Sequence, residues 1–359
     1  MKDEQLALFQ ELTEANGAPG FEGPVREIMK SHLQRYSDRI VSDRLGGVFG
    51  VKEGPPDAPK VLVAGHMDEV AMMVTQITEK GFVKFQPLGG WWNQVLLAQR
   101  VQIITERGVV PGVIGSTPPH LLDENARKKP VQISEMFIDV GADSREEAET
   151  IGIKPGQPIL PATPFTVMAG GKKLLAKAWD NRYGCALAIE LMQALKDESL
   201  QVSLYSGATV QEEVGLRGAA VAANLVEPDL FFALDAGPAG DTPGVRDGFG
   251  RLGEGVLIRI YDRSMILLPG LRDLILDVAE TEKIPYQFFV SQGGTDAGRV
   301  HLSGRGVPSA VISIPARYIH SHVSVIHRDD YQAAKRLLIA LLRRMNPSVI
   351  KEIQASRTL

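Results

Sequence analysis

Cysteine is almost missing from the 359 residues: Cys185 stands alone. No intramolecular disulfide can staple such a chain, and any metal it binds must be held by His, Asp or Glu. The neighbours Ala186, Leu187, Ala188 and Ile189 are apolar, so Cys185 reads as a small buried side chain. Long apolar runs are missing too, none approaching the ~18 residues that a membrane span requires. The opening MKDEQLALFQEL carries charge at Lys2, Asp3, Glu4 and Glu11, where a secretory leader has an unbroken apolar stretch. A cytoplasmic location is therefore expected. Nor is there a surplus of cations, since 39 Lys and Arg against 43 Asp and Glu give a formal net charge of -4. With no basic excess to neutralise a phosphate backbone, a nucleic-acid partner is disfavoured.

What is present is an ordinary globular balance, 44% hydrophobic and 23% charged, in a chain long enough for one large core and a smaller module. Leu6, Leu8, Phe9 and Leu12, then Val25, Ile28, Met29 and Leu33, recur at helical spacing on either side of a Gly17-Ala18-Pro19-Gly20 break. The run Val61 to Ala64 suits a buried strand and gives way at once to Gly65-His66-Met67-Asp68-Glu69. From about Ala71 to Phe165 helical periodicity fades, and short β-prone runs (Val101 to Thr105, Val109 to Ile114, Met136 to Val140) alternate with Gly, Pro and charge. That stretch reads as an inserted β-rich module. Beyond it, helical patterns over Asn181 to Leu195, Gly215 to Asn224, Leu271 to Thr281 and Asp329 to Met345 interleave with strands over Val202 to Val210, Leu230 to Leu234 and Ser309 to Ile314. Alternation of this kind predicts an α/β fold with a mostly parallel, helix-flanked sheet.

Open α/β sheets bind ligands beyond the carboxyl ends of their strands. Polar residues collect at five such places: His66 and Asp68; Asp180; Glu212 and Glu213; Asp235; and His320. Two histidines and three carboxylates are enough to ligate two metal ions. His66 and Asp68, two apart on an extended segment, face the same side, so Asp68 is placed to accept the second imidazole N–H and orient the ring. Adjacent Glu212 and Glu213 face differently, which suits one to metal and the other to substrate and water. Taken singly, each has a plainer reading: Asp180 as a helix cap, Asp235 as a turn former, the glutamates as a solvated pair, the histidines as hydrogen-bonded side chains. Their shared position after predicted strands sets the constellation apart.

At these residues the chain resembles the tetrahedral aminopeptidases, a family of metallo-enzymes that includes glutamyl and deblocking aminopeptidases and members once labelled cellulases. The matching segments are Gly65-His66-Met67-Asp68-Glu69-Val70, Ala176-Lys177-Ala178-Trp179-Asp180-Asn181-Arg182, Val210-Gln211-Glu212-Glu213-Val214-Gly215-Leu216-Arg217-Gly218, Asp235, Gly293-Gly294-Thr295-Asp296-Ala297-Gly298 and Arg317-Tyr318-Ile319-His320-Ser321. The likeness runs through nearly the whole chain. It implies that Asp180 bridges two divalent metal ions, with His66 and Asp235 completing one site and Glu213 and His320 the other, and that Glu212 is the general base. It also implies a zinc-peptidase-like catalytic domain, residues 1–70 and 166–359, interrupted at 71–165 by a β-barrel-like module used in dimerisation. Dodecameric tetrahedra with inward-facing active sites are the assembly it suggests, and peptides the substrates. Zinc is the default ion for such ligands; cobalt and manganese suit the same set.

Thr295 and Asp296 either line the substrate pocket or form a tight turn, and Arg259 and Arg317 either bind an acidic substrate side chain or make ordinary ion pairs. Ala71 stands where relatives usually have glycine, so its methyl group is expected to press on the metal loop. A glycoside hydrolase would use two carboxyls ~5 to 9.5 Å apart and would leave the histidines without a task. A deacylase or carboxypeptidase would keep the metals and cleave a different amide, which blocked N-terminal substrates test. A non-enzymatic oligomer would carry a vestigial site, which metal analysis with an activity assay exposes.

Overall fold

Apolar residues at helical spacing near the start pack as the periodicity requires. Helix α1 (Asp3–Glu14) buries Leu8, Phe9 and Leu12, and α2 (Gly23–Leu33) buries Val25, Met29 and Leu33, with Pro24 in a first turn whose N–H groups need no helical partner. Both lie against the core of the computed structural model, which describes residues 3–246 and 248–356. Strands β1 (Arg39–Ser42), β2 (Val48–Lys52) and β3 (Lys60–His66) follow. Next come β4 (Ala71–Ile77), β5 (Val83–Leu88), β6 (Arg100–Thr105), β7 (Gly108–Gly115), the short helices α3 (Glu124–Arg127) and α4 (Arg145–Ile151) on either side of β8 (Phe137–Asp139), and β9 (Pro158–Pro161). These six strands close into an antiparallel barrel in the order β4-β5-β8-β7-β6-β9. The barrel has its own core, around Met72, Val74, Ile103, Ile138 and Ile159.

The chain then returns through β10 (Thr166–Val167) and β11 (Lys173–Ala176), which form a small sheet with the late strand Ser324–His327. Helix α5 (Trp179–Leu195), β12 (Ser203–Thr209), α6 (Arg217–Val226) and β13 (Leu230–Pro238) rebuild the α/β alternation. It continues with β14 (Val256–Tyr261), α7 (Pro269–Thr281), β15 (Tyr286–Val290), α8 (Asp296–Val300), β16 (Ser309–Ala316), β17 (Ser324–His327), α9 (Arg328–Arg344) and α10 (Pro347–Ala355). The main sheet has the order β1-β2-β12-β3-β13-β16-β14-β15; β12, β3, β13 and β16 run parallel at its centre, and antiparallel pairings flank them. No described helix is long and apolar enough to cross a membrane.

Strand β3 is apolar on both faces because both are covered. Val61 and Val63 join the cluster that holds α5, while Leu62 and Ala64 join Ala219 and Ala222 of α6 on the other side. Gly65 meets α5 backbone to backbone: a Cβ there would lie 2.7 Å from the carbonyl carbon of Gly184. That approach brings the start of α5, and with it Asp180, beside the end of β3.

Two expectations need correction. Asp235 does not follow its strand but lies inside β13, in register with Ser313 of β16, and Asp180 follows β11 of the small sheet rather than a strand of the main one. Ala71 does not press on the metal loop. Its methyl group packs with Ala18 and Leu160 in a separate small cluster.

Candidate metal centre

Five segments deliver the side chains singled out above to one place. His66 ends β3, Asp180 opens α5, Glu212 and Glu213 lie between β12 and α6, Asp235 sits near the end of β13, and His320 lies between β16 and β17. Asp180 takes non-helical backbone angles (φ -87°, ψ 100°), with His66 Nε2 at 3.1 Å from its Oδ1 and His320 Nε2 at 3.3 Å from its Oδ2. Each oxygen of one carboxylate thus faces a different imidazole. His66 Nε2 is also 3.9 Å from Asp235 Oδ1 and 3.8 Å from Glu212 Oε2, and His320 Nε2 is 3.5 Å from Glu213 Oε2.

The other nitrogens of the two rings fix their orientation. His66 Nδ1 lies 3.0 Å from the Asp68 carbonyl oxygen and 3.4 Å from its Oδ1, so the nearer acceptor is backbone. His320 Nδ1 donates to Gly90 O at 2.9 Å, a contact between the inserted segment and the loop joining β16 to β17. Both arrangements leave Nε2 as the ring atom that faces the carboxylates. The Asp68 carboxylate is occupied elsewhere, its two oxygens accepting from Glu212 N and Glu213 N, each at 3.0 Å.

A buried ionic network, which no motif in the sequence marks as such, supports this frame. Glu69 accepts from Lys177 Nζ (2.5 and 2.7 Å) and Arg182 Nη2 (2.9 Å), while Arg182 also donates to Met67 O, Leu12 O and Ala15 O. The loop after β3, the start of α5 and the end of α1 are thereby tied together. Burial pushes the Lys177 ammonium down to about 8, against the pull of Glu69. Cys185 is buried as expected, and burial raises its thiol to about 11.

The electrostatics suit cations. Burial, joined by Asp235 and Glu213, raises the Glu212 carboxyl well above its usual range, and burial with the Asp180 charge does the same to Asp235. Burial likewise lifts Glu213 to about 8. Asp180 is lowered despite its burial, because His320 and His66 both donate to it. Glu213 Oε1 is buried without a hydrogen-bond partner among the described residues. Crowded carboxylates with an unpartnered buried oxygen fit hard or borderline divalent ions, and two imidazoles shift the set toward zinc-like ones. Three groupings bring ligand atoms within 4.8 Å of one another: His66, Asp180 and Asp235; Asp180, Glu213 and His320; and His66, Glu212 and Glu213.

Comparison with known proteins decides the family: the profile of the M42 glutamyl aminopeptidases matches residues 46–337. The chain belongs to the M42 glutamyl aminopeptidase family. It is 43% identical to the glutamyl aminopeptidase of Lactococcus lactis subsp. cremoris over 346 residues, covering 96% of this chain and 97% of that one. Among solved structures it superimposes on a TET aminopeptidase from the marine sediment archaeon Thaumarchaeota archaeon SCGC AB-539-E09 with a TM-score of 0.96, at 43% identity and over 98% of this chain and 100% of that chain. The Pyrococcus horikoshii TET1 peptidase, which can assemble into a tetrahedron or a large octahedral shell, matches with a TM-score of 0.85 at 32% identity, over 95% of this chain and 100% of that one. As an M42 peptidase, the chain is a hydrolase of peptide bonds and a metal-dependent aminopeptidase.

The residues suggested for substrate are already engaged in this M42 fold. Thr295 caps α8 by accepting from Ala297 N, and Asp296 Oδ2 lies 2.5 Å from the Thr209 hydroxyl, its carboxyl pushed up to about 6 by burial. Arg259 is buried, pairs with Asp262 at 3.3 Å and lies 5.4 Å from the Phe289 ring centre. Arg317 grips Asp241 with two bonds of 2.7 and 2.6 Å. Glu22, which no sequence motif singles out, reaches the Gln211 backbone at 3.0 Å.

Proposed function

We propose that this aminopeptidase holds two divalent ions, bridged by Asp180, with His66 and Asp235 on one side and Glu213 and His320 on the other, and that Glu212 is the general base. The observation that carries this reading is the pair of Asp180 oxygens, each facing its own imidazole within its own three-ligand grouping. When bound, two such ions polarise a scissile carbonyl and acidify water, so that a hydroxide nucleophile is available near neutral pH. Glu212 takes the proton of the attacking water and hands it to the leaving amine. Asp68 keeps Glu212 in reach by bonding its backbone, and its carbonyl oxygen turns His66 Nε2 toward the carboxylates. The side chain of Glu212 is 11% exposed, which leaves one side open to substrate and water.

Zinc is the ion best suited to this donor set, with cobalt and manganese next, and N-terminal residues of peptides are the substrates. The barrel that interrupts the α/β body supports a division into a catalytic domain, residues 1–70 and 166–359, and an inserted module, 71–165, to which we assign dimerisation. Dimers joined through that module build a homo-oligomer, in keeping with the assemblies of the TET1 peptidase, and a dodecamer is the assembly we assign. A cytoplasmic setting agrees with a lone, buried, unpaired cysteine.

The decisive experiment counts metal per subunit after chelation and reconstitution and measures hydrolysis of amino-acyl p-nitroanilides on wild type and Glu212→Gln. Two ions per subunit and an inactive but fully loaded Glu212→Gln are expected. A saturating stoichiometry of one, or near-wild-type turnover by Glu212→Gln, overturns the corresponding half of the reading. Glutamyl and leucyl substrates compared at matched loading then give the preferred N-terminal residue.

A further inference from the structure

Three consecutive backbone N–H groups, those of Gln211, Glu212 and Glu213, donate to carboxylates rather than to other backbone. Asp68 accepts two of them, and the third, from Gln211, goes to Glu22 Oε1 at 3.0 Å. The same Glu22 oxygen accepts from Gly20 N at 2.9 Å, so one atom ties the loop before α2 to the loop after β12. Gln211 needs such a hold. It is a non-glycine residue at φ 55°, a left-handed conformation that side chains disfavour, and that conformation lets successive N–H groups converge on anions as a nest.

The far side of the same turn is closed by backbone: Gly215 N and Leu216 N donate to Glu212 O, Arg217 N to Gln211 O, and Gly218 N to Val210 O. A Cβ at Gly218 would lie 2.3 Å from Val210 O, so the turn fits tightly onto the start of α6. Glu22 itself is only 5% exposed and belongs to none of the metal groupings. Besides bracing Gly20 of its own loop, its carboxylate fixes the residue immediately before Glu212.

We propose that Glu22 is a positioning residue for Glu212: by holding Gln211 N it keeps the turn in the left-handed form that aims the base at the reacting water. The proposal rests on the reading of Glu212 as the general base. Without Glu22, Gln211 N loses its acceptor and the turn relaxes toward ordinary φ, which swings Glu212 first. Asp68 still holds the backbone N–H groups of both glutamates, so the shift falls mainly on Glu212, the nearer to Gln211, while the Glu213 carboxylate also keeps His320 at 3.5 Å.

The test compares Glu22→Ala, Glu22→Gln and Glu22→Asp with wild type and with Glu212→Gln, reading kcat, KM, bound zinc per subunit and zinc affinity by calorimetry. Glu22→Ala is expected to lower kcat by about 10- to 100-fold, the cost of a small misplacement of a reacting group. KM should stay within about twofold, since substrate contacts are untouched, and zinc content and affinity should not change. Glu22→Gln keeps an acceptor oxygen and should recover most of kcat. If Glu22→Ala does not fold, Glu22→Asp, too short to reach both N–H groups, carries the test with the same pattern at about tenfold.

Wild-type kcat in the folded variant, a loss that saturating zinc repairs, or a Glu22→Gln as impaired as Glu22→Ala overturns the proposal. Near-wild-type turnover by Glu212→Gln removes the base assignment and the proposal together. An inactive Glu212→Gln beside a fully active Glu22→Ala removes the proposal alone.

Discussion

A single carboxylate does most at the centre. Asp180 is shared by two of the three-ligand groupings, one oxygen facing His66 and the other His320. Asp180→Ala removes the carboxylate common to both and is expected to weaken zinc binding by more than about 100-fold, since even outer-shell partners are worth 10- to 100-fold. Atomic emission on the dialysed variant reads this directly; full metal retention would remove Asp180 from the bridge. The residues of this cluster could be picked out of the sequence because each lies close to the end of an apolar run or the start of a helical one. Glu22 could not, because Pro19-Gly20-Phe21-Glu22-Gly23 reads as a turn and nothing local shows that its carboxylate meets a backbone 189 positions away. Ordinary ion pairing was one of the two readings open for Arg259 and Arg317, and Asp262 stands three positions from Arg259. Only the partner of Arg317 was hidden for a related reason, since Asp241 lies 76 positions away.

At the level of elements, the site depends on how closely β3 and α5 approach. Gly65 and Gly184 touch without side chains, and a methyl group at Gly65 would press on backbone atoms that cannot turn aside. Gly65→Ala should therefore cost about 1–3 kcal/mol, or more, as overpacked interiors do. Urea unfolding measures it, and an unchanged midpoint would mean that the helix yields. A second tether joins α9 to the Gly253–Gly255 loop, where the buried Asp330 accepts from Gly253 N at 2.8 Å and Gly255 N at 2.7 Å. Burial raises its carboxyl from an ordinary 3.8 to about 6, with those two N–H groups opposing. Between these values the folded carboxyl keeps a proton that the unfolded chain has released. Stability relative to Asp330→Asn should therefore fall as pH rises from about 4 to about 6 and then level off, the gap corresponding to roughly 3 kcal/mol. Denaturant titrations of both proteins at several pH values check it; a flat difference would show that the tether is ionised throughout. The interior parallel strands were legible as apolar runs. The peripheral strands β1, β2, β14 and β15 were not, because half-covered strands such as β1 mix polar and apolar residues, and β14 is interrupted by the buried Arg259.

For the molecule as a whole, the barrel carries an apolar row on its outer surface. Along β7, Val110 and Ile114 point into the barrel core, while Val109 (53% exposed), Pro111 and Val113 (41% exposed) form an outward row. Both edges of β7 are paired, with β6 and β8, so this row cannot be hidden by adding a strand and must be covered face-on if it is covered at all. The loss of helical periodicity after Ala71 disclosed the β-rich insertion, but a sequence pattern reports alternation, not which outward face is wet. The dimerisation role we assign to the barrel makes that face an interface. Val109→Asp combined with Val113→Asp places two charges where a partner would bury them, at a cost of several kcal/mol per unpaired charge. The main sheet and the Asp180 cluster are built from other segments and should be unaffected. The expected outcome is a shift to a smaller species by light scattering, with zinc content per subunit unchanged. A double variant that keeps the wild-type mass leaves the row facing solvent, and the assembly must then be sought on another surface.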